Sequence, residues 1–229
     1  MMMKSWLEAM RTKYIIFDLD DTLAYEIEYL KSAYREIAGL VASEYSSVNS
    51  NTLYEKMFGL YQLNQNVFEF LENHYPSFTK EKLLSIYRNH YPNIEMERET
   101  IEILNFCKAQ NYKLGLITDG YSITQRNKLK ALKIESLFDK IIISEEFGTS
   151  KPDIRNYQDF QEEHISQYFY IADNPKKDFI TPNELGWVTV CLLDKGNNIH
   201  PQNFNIKEKY LPKYKIQNIT DLKSIIQKH

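Results

Sequence analysis

The chain is poor in the residues that break regular structure. It has seven glycines and seven prolines among 229 residues, where average usage is nearer about 7% and 5%. This excludes collagen-like and linker-dominated architectures. Only two cysteines occur, Cys107 and Cys191, far apart and outside any Cys-x-x-Cys or Cys/His cluster. A disulfide-stapled scaffold and a thiolate metal site are therefore both excluded, and two buried thiols in a reducing compartment are expected. There is no excess of either charge: 28 Lys+Arg against 31 Asp+Glu leave a formal net charge of −3. Without a basic field to grip a phosphate backbone, nucleic acid is not an expected partner. No apolar run approaches membrane-span length, and Met1–Lys13 has no signal-length apolar core. The chain is expected to be soluble and cytoplasmic, with no membrane partner.

Aromatic residues, by contrast, are plentiful: 17 Tyr, 12 Phe and 2 Trp. Such a chain can bury enough surface to offset its conformational entropy. Its length suits a domain of roughly 150 residues with about seventy more to be explained.

Five short β-branched and aromatic runs read as strands: Tyr14–Phe17, Leu114–Ile117, Ile141–Ile143, Tyr168–Ile171 and Val188–Leu192. They are continuously apolar rather than alternating, the pattern of strands buried on both faces of a parallel sheet. Helical stretches at Ile123–Leu132, Arg155–Glu163 and Phe179–Leu185 separate the later four. This alternation predicts an α/β fold, a doubly wound Rossmann-like parallel sheet. A last edge strand is expected near Tyr214–Ile219, followed by a helix opened by Thr220 and Asp221.

The alternation breaks once. Between Ala24 and Pro92 only helical periodicity appears: Leu30, Tyr34, Ile37, Ala38 and Val41, then Leu53, Met57 and Tyr61, then Val67, Phe68 and Leu71. Leu83, Leu84 and Tyr87 follow a Thr79 placed to cap their helix. The predicted organisation is a catalytic core of residues 1–23 and 93–229, interrupted by an all-helical insertion, residues 24–92.

Ligands of open α/β sheets bind outside the carboxyl ends of the strands. The first strand is followed by Asp18–Leu19–Asp20–Asp21–Thr22–Leu23, the second by Thr118–Asp119–Gly120. The third leads, after a short loop, to Lys151–Pro152, and the fourth to Ala172–Asp173–Asn174–Pro175–Lys176–Lys177–Asp178. Alone, each piece has a plain structural explanation as a turn, a helix cap or a solvated lysine. All four occur in order, each after its own strand. Clustered carboxylates repel one another unless a cation lies among them, and an all-oxygen set favours Mg²⁺. A carboxylate beside such a cation can attack phosphorus. A second acid two residues on can protonate the leaving oxygen, while Thr118 and Lys151 hold the transferring group.

These residues resemble the motifs of the haloacid dehalogenase-like superfamily of aspartate-nucleophile phosphohydrolases. Phe17–Leu23 is similar to the first motif, Thr118–Asp119–Gly120 to the second, Lys151–Pro152–Asp153 to the third, and the Asp173/Asp178 pair to the fourth. The resemblance implies a Mg²⁺-dependent phosphatase acting on a small phosphate monoester. Asp18 would be the nucleophile and Asp20 the general acid/base; Thr118, Asp119 and Lys151 would lie around the phosphate. The metal would be held by Asp18, the backbone carbonyl of Asp20, and Asp173, with Asn174 and Asp178 supporting it. The insertion would be the family's type 1 cap. Two departures are Ala172, where the family usually has Gly, and Asp119, where Asn is common. The fourth-motif variant Ala172–Phe179 is similar to that of members acting on surface-polysaccharide precursors, which implies a sugar, polyol or amino-alcohol phosphate.

Other readings fit less well. A dehalogenase needs no acid at position 20, and the phosphomutases of the superfamily have Gly where Thr22 stands. A phosphorylatable receiver carries its acceptor on the third strand and lacks a helical insertion. A phosphate-sensing, non-enzymatic relative stays open. Tyr25, Glu26 and Tyr29 are close enough to the first motif to line the cleft or to pack within the insertion. The oligomeric state is not legible.

Overall fold

A computed structural model describes residues 12–229; the Met1–Arg11 part of the amino-terminal segment considered for a signal lies outside the described residues. Six parallel strands form one sheet: β1 (Thr12–Phe17), β2 (Lys113–Thr118), β3 (Lys140–Ile143), β4 (Ile165–Ala172), β5 (Val188–Leu192) and β6 (Tyr214–Ile216). Their order is β3-β2-β1-β4-β5-β6, and every neighbouring pair is parallel. The chain winds outward in one direction from β1 to β3 and in the other from β4 to β6. The order therefore reverses beside β1, which places the carboxyl ends of β1, β2 and β4 around one crevice.

Both faces are buried, as continuously apolar strands require. Ile15, Phe17, Leu114, Leu116, Phe169 and Ile171 pack on one face with Ile103, Leu104 and Cys107 of helix α5 (Arg98–Ala109). Tyr14, Ile16, Ile117, Tyr170 and Ala172 pack on the other with Tyr157, Phe160 and Trp187. The second face is where many of the largest aromatics go. Tyr168 stacks on Trp187 with ring centroids 4.9 Å apart, and Phe160 meets Tyr14 edge-on at 5.3 Å. Gly115 makes this possible, since a Cβ there would stand 2.5 Å from Phe160 Cε1 and 2.9 Å from Ile16 Cγ1. Cys107 and Cys191 are both free and buried.

The helix expected over Arg155–Glu163 is a single turn, α8 (Arg155–Gln158), because the chain reverses to drive Phe160 inward against Gly115. The last strand stops at Ile216, and Asn218 rather than Thr220 opens the terminal turn. Asn218 and Asp221 form a reciprocal capping box ahead of α10 (Leu222–Lys228).

Four helices follow β1 directly: α1 (Glu26–Glu44), α2 (Ser50–Gln62), α3 (Val67–His74) and α4 (Lys80–Asn89). They bury a cluster of their own, with Ile37, Ala38, Val41, Met57, Leu71 and Leu83 at its centre. Side chains cap three of them: Asn49 bonds the Thr52 N–H, Asn66 the Glu69 N–H, and Thr79 the Lys82 N–H. Helices α1 and α4 are pinned together where the chain returns to the sheet. There the buried Ser32 Oγ lies 2.7 Å from His90 Nε2 and accepts the Asn93 N–H. His90 Nδ1 in turn contacts Glu36. Among the described residues, no helix is long and apolar enough to cross a membrane.

Candidate active site

The site begins where β1 ends. The Asp18 N–H is still paired with Ile171 O of β4 at 2.9 Å, so its side chain is set at the switch point by the sheet itself. The chain then coils tightly. Leu23 and Ala24 N–H both return to Leu19 O, and Asp21 adopts φ 56°. This turn carries the chain past Asp18 and sets Asp21 at the start of α1, where its Oδ1 accepts the Glu26 N–H at 2.9 Å.

Asp18 is 5% exposed. Its Oδ1 accepts the Leu19 N–H at 2.8 Å, and its Oδ2 is 2.9 Å from Lys151 Nζ. The same ammonium lies 2.9 Å from Asp178 Oδ1. Burial alone would lower the Lys151 pKa, but Asp178 and Asp18 outweigh it and hold the lysine charged. Burial raises the Asp18 carboxyl to about 6 despite the opposing pull of Lys151.

Asp18, Asp173 and Asp178 each present a carboxylate oxygen within 4.8 Å of the others, and all three are buried. One lysine cannot balance three such charges. Asp173 registers the shortfall: desolvation, then Asp18 and Asp178, push it up to about 8. An all-oxygen, net-negative buried cluster suits a hard divalent cation, so the residues fit the metal that the sequence implied. Asp178 is a full member of this cluster; its other oxygen accepts the Asn174 N–H at 3.0 Å. Asp20 turns its carboxylate elsewhere.

That carboxylate goes to helix α6 (Ser122–Ala131). Asp20 Oδ1 is 2.6 Å from Lys128 Nζ, and Oδ2 accepts from Gln125 Nε2 at 2.9 Å. Gln125 Nε2 also reaches Thr118 Oγ1 at 2.6 Å and Asp119 O at 3.1 Å. Two of these partners, the Asp20 carboxylate and the Asp119 carbonyl, are acceptors, which fixes that end of the amide as nitrogen. Thr118, 1% exposed, therefore accepts from Gln125 and keeps its own O–H free to donate. The same helix anchors the insertion, since Thr124 Oγ1 donates to Arg88 O and Asn127 Nδ2 to His90 O. Gln125 and Lys128 were not read from the sequence as site residues. They lie three apart on a mostly polar helix whose buried side also carries Asn127 and Leu129, so spacing does not single them out.

Asp119 stands on the cleft wall with both oxygens engaged, Oδ1 by the Lys151 N–H at 3.0 Å and Oδ2 by Lys177 Nζ at 2.8 Å. Burial raises its pKa, but Lys151 and Lys177 outweigh this and hold it below its ordinary value. A carboxylate fixed in this way positions the Lys151 backbone and the Lys177 ammonium. Lys177 was also missed; it lies in the fourth-motif loop one residue before Asp178.

The cleft bounded by these groups has a volume of about 220 Å³ and is also lined by Glu26, Asn174 and His200. Of the three residues considered for it from α1 and its approach, Glu26 is on the lining. Tyr25 lines a neighbouring cavity instead. Tyr29 is 2% exposed, with its hydroxyl donated to Tyr87 O and its ring over Lys128; the inward side of α1 claims it for packing. His200 comes from the Asn-rich loop after β5. That loop is built around Asp194 Oδ1, which accepts the N–H groups of Gly196, Asn197 and Asn198. Asn198 Nδ2 then donates to Asp173 Oδ2 at 3.0 Å, and Gln202 Nε2 to Asp173 O at 2.7 Å.

Residues 15–191 match the family of haloacid dehalogenase-like hydrolases. The chain belongs to that family. A curated relative, the glyceraldehyde 3-phosphate phosphatase of Methanocaldococcus jannaschii, is 31% identical over 193 residues, spanning 79% of this chain and 85% of the relative. Among solved structures, a phosphatase of the family from Thermococcus onnurineus superposes with TM-score 0.60 at 19% identity, covering 94% of this chain and 98% of its own. A 2-haloacid dehalogenase from Pseudomonas syringae superposes with TM-score 0.56 at 18% identity, covering 95% and 99%. The shared fold thus spans both chemistries of the family, and the side chains must separate them.

Proposed function

We propose that this hydrolase is a Mg²⁺-dependent phosphatase of small phosphate monoesters, working through an aspartyl-phosphate on Asp18. The observation that carries the reading is the pairing of Asp18, buried beside Lys151 at 2.9 Å, with a second acid, Asp20, held on the cleft wall by Lys128 and Gln125. A dehalogenase has no use for that second acid.

An Asp18 carboxylate oxygen attacks phosphorus while the bond from phosphorus to the ester oxygen breaks in line. Asp20 gives its proton to the departing oxygen, so the alcohol leaves neutral, and then takes a proton from the water that hydrolyses the acyl phosphate. The Thr118 hydroxyl donates to the phosphoryl group, and Lys151 with Lys177 offsets its charge. Asp18, Asp173 and the Asp20 backbone carbonyl would hold Mg²⁺ with Asp178 beside them, and the ion when bound screens the nucleophile's charge from the phosphate. Residues 24–92 act as the cap that closes on the leaving group.

The cleft is below the usual range of about 300–1,000 Å³ for drug-sized ligands, so the ester is small. The M. jannaschii relative, named for glyceraldehyde 3-phosphate, supports a triose or similar polyol phosphate over a nucleotide. The sugar, polyol and amino-alcohol phosphates of surface-polysaccharide precursor metabolism belong to the same chemical range.

Asp18→Asn tests the reading. The variant should fold, keep phosphate binding and lose all turnover. The wild type, quenched during turnover with glyceraldehyde 3-phosphate, should carry phosphate on the peptide containing Asp18 by mass spectrometry. Retained Mg²⁺-dependent hydrolysis in Asp18→Asn would overturn it.

A further inference from the structure

Carboxylates dominate the cleft lining. Beside Asp18, Asp119 and Asp173 of the strand ends, three follow one another in sequence, Asp20, Asp21 and Glu26, and the lining's one lysine, Lys177, is paired with Asp119. Asp21 is fixed there by two backbone donors, the Glu26 N–H at 2.9 Å and the Ile199 N–H at 3.2 Å. Glu26 opens α1 and therefore stands where the insertion meets the cleft. Glu26 shares the cleft with Asp20, the acid that serves the leaving oxygen.

Opposing charges are few. Lys128 is buried and ion-paired with Asp20 at 2.6 Å. Lys177 is turned to Asp119. His200 is the one imidazole among the described lining residues.

We infer that Glu26, with Asp21 beside it, selects phosphate esters whose leaving group is uncharged or cationic and rejects those whose leaving group bears a carboxylate. This rests on the phosphatase reading and narrows it: the substrate carries one anionic group, the phosphate. A hydroxyl of a polyol or an amine can donate to Glu26, whereas a carboxylate would stand against the like charges of Glu26 and Asp21 in a partly desolvated cleft.

The test compares glycerol 3-phosphate with 3-phosphoglycerate, a pair with the same carbon chain and phosphate position, with Mg²⁺ at pH 8. The wild type should favour glycerol 3-phosphate by at least roughly tenfold in kcat/KM. Glu26→Gln should shrink that ratio by about fivefold or more, and should lower the Ki of 3-phosphoglycerate against p-nitrophenyl phosphate hydrolysis. Glu26→Asp should keep most of the discrimination, which separates charge from a merely structural role. Comparable wild-type turnover of both esters, or an unchanged ratio in Glu26→Gln, would overturn the inference while leaving the phosphatase reading intact. Failure to hydrolyse any small phosphate ester would overturn both.

Discussion

Lys128 Nζ meets Asp20 Oδ1 at 2.6 Å, with the lysine side chain 4% exposed. A buried ammonium on a carboxylate does two things at once. It fixes which way that acid points, and it fills the buried space beside the acid with a donor. Asp20 must present its oxygen to the leaving group in one step and to water in the next, so Lys128 is a positioning residue acting through Asp20. Lys128→Met should lower kcat roughly 10–100-fold. If the lysine acts only through Asp20, Lys128→Met/Asp20→Asn should lose little beyond Asp20→Asn alone. Additive losses in that double-mutant cycle would assign Lys128 a separate role.

The metal-free protein should grow less stable as pH rises. Burial and neighbouring anions raise three site carboxyls, Asp18 to about 6, Glu26 to about 7 and Asp173 to about 8. Their ordinary values, 3.8 for the aspartates and 4.5 for Glu26, apply in the unfolded chain. Between about pH 4 and 8 the folded state therefore binds more protons than the unfolded state, and stability falls with rising pH across that window. A divalent cation replaces those protons. Thermal unfolding in chelator should show a Tm that declines from pH 5 to pH 8, and Mg²⁺ should raise Tm more at pH 8 than at pH 5. A Tm that is flat in chelator, or an equal Mg²⁺ effect at both pH values, would contradict this.

Much of this was legible before any coordinates. Continuously apolar runs such as Tyr168–Ile171 can only be buried on both faces, and that settles the parallel sheet. The end of each strand then places Asp18, Thr118 and Asp173 at one rim. What could not be read was which polar residues on other elements turn inward. Gln125 and Lys128 sit on a mostly polar helix with no apolar stripe to mark its inner side, and their burial depends on how α6 docks between the sheet and the insertion. Asn198 and His200 lie in a loop whose course is set by Asp194 and by contacts up to 178 positions away, as between Ile199 and Asp21. Tyr29 and Glu26, three residues apart, are neighbours on one helix end, yet Tyr29 is buried in packing and Glu26 lines the cleft. Spacing alone does not say which of them reaches the cleft.

The close approach of Phe160 to β2 makes Gly115 a packing requirement. Gly115→Ala places a methyl 2.5 Å from the Phe160 ring and 2.9 Å from Ile16. Overpacking of this kind costs about 1–3 kcal/mol, to be read as a lowered urea midpoint with an unchanged m-value. Phe160→Leu in the Gly115→Ala background should recover part of the loss. No recovery would mean that the strain falls on the Ile16 side.

Asn198 reaches from the β5–β6 loop to the metal cluster. Its Nδ2 donates to Asp173 Oδ2 at 3.0 Å, and the Asp194 turn fixes its backbone. This contact orients one oxygen of Asp173 and stabilises the ionised carboxylate, so its loss both frees the side chain and strengthens the proton that competes with a cation. Asn198→Ala should weaken Mg²⁺ binding by roughly tenfold, seen as a higher Mg²⁺ concentration for half-maximal activity and as a lower affinity by calorimetry on the free enzyme. Because proton competition is part of the effect, the gap between wild type and variant should narrow as pH is raised past about 8, where Asp173 ionises. Asp194→Ala should reproduce a smaller version of the same shift by loosening the turn that carries Asn198. A variant with unaltered Mg²⁺ affinity would show that the sheet alone orients Asp173.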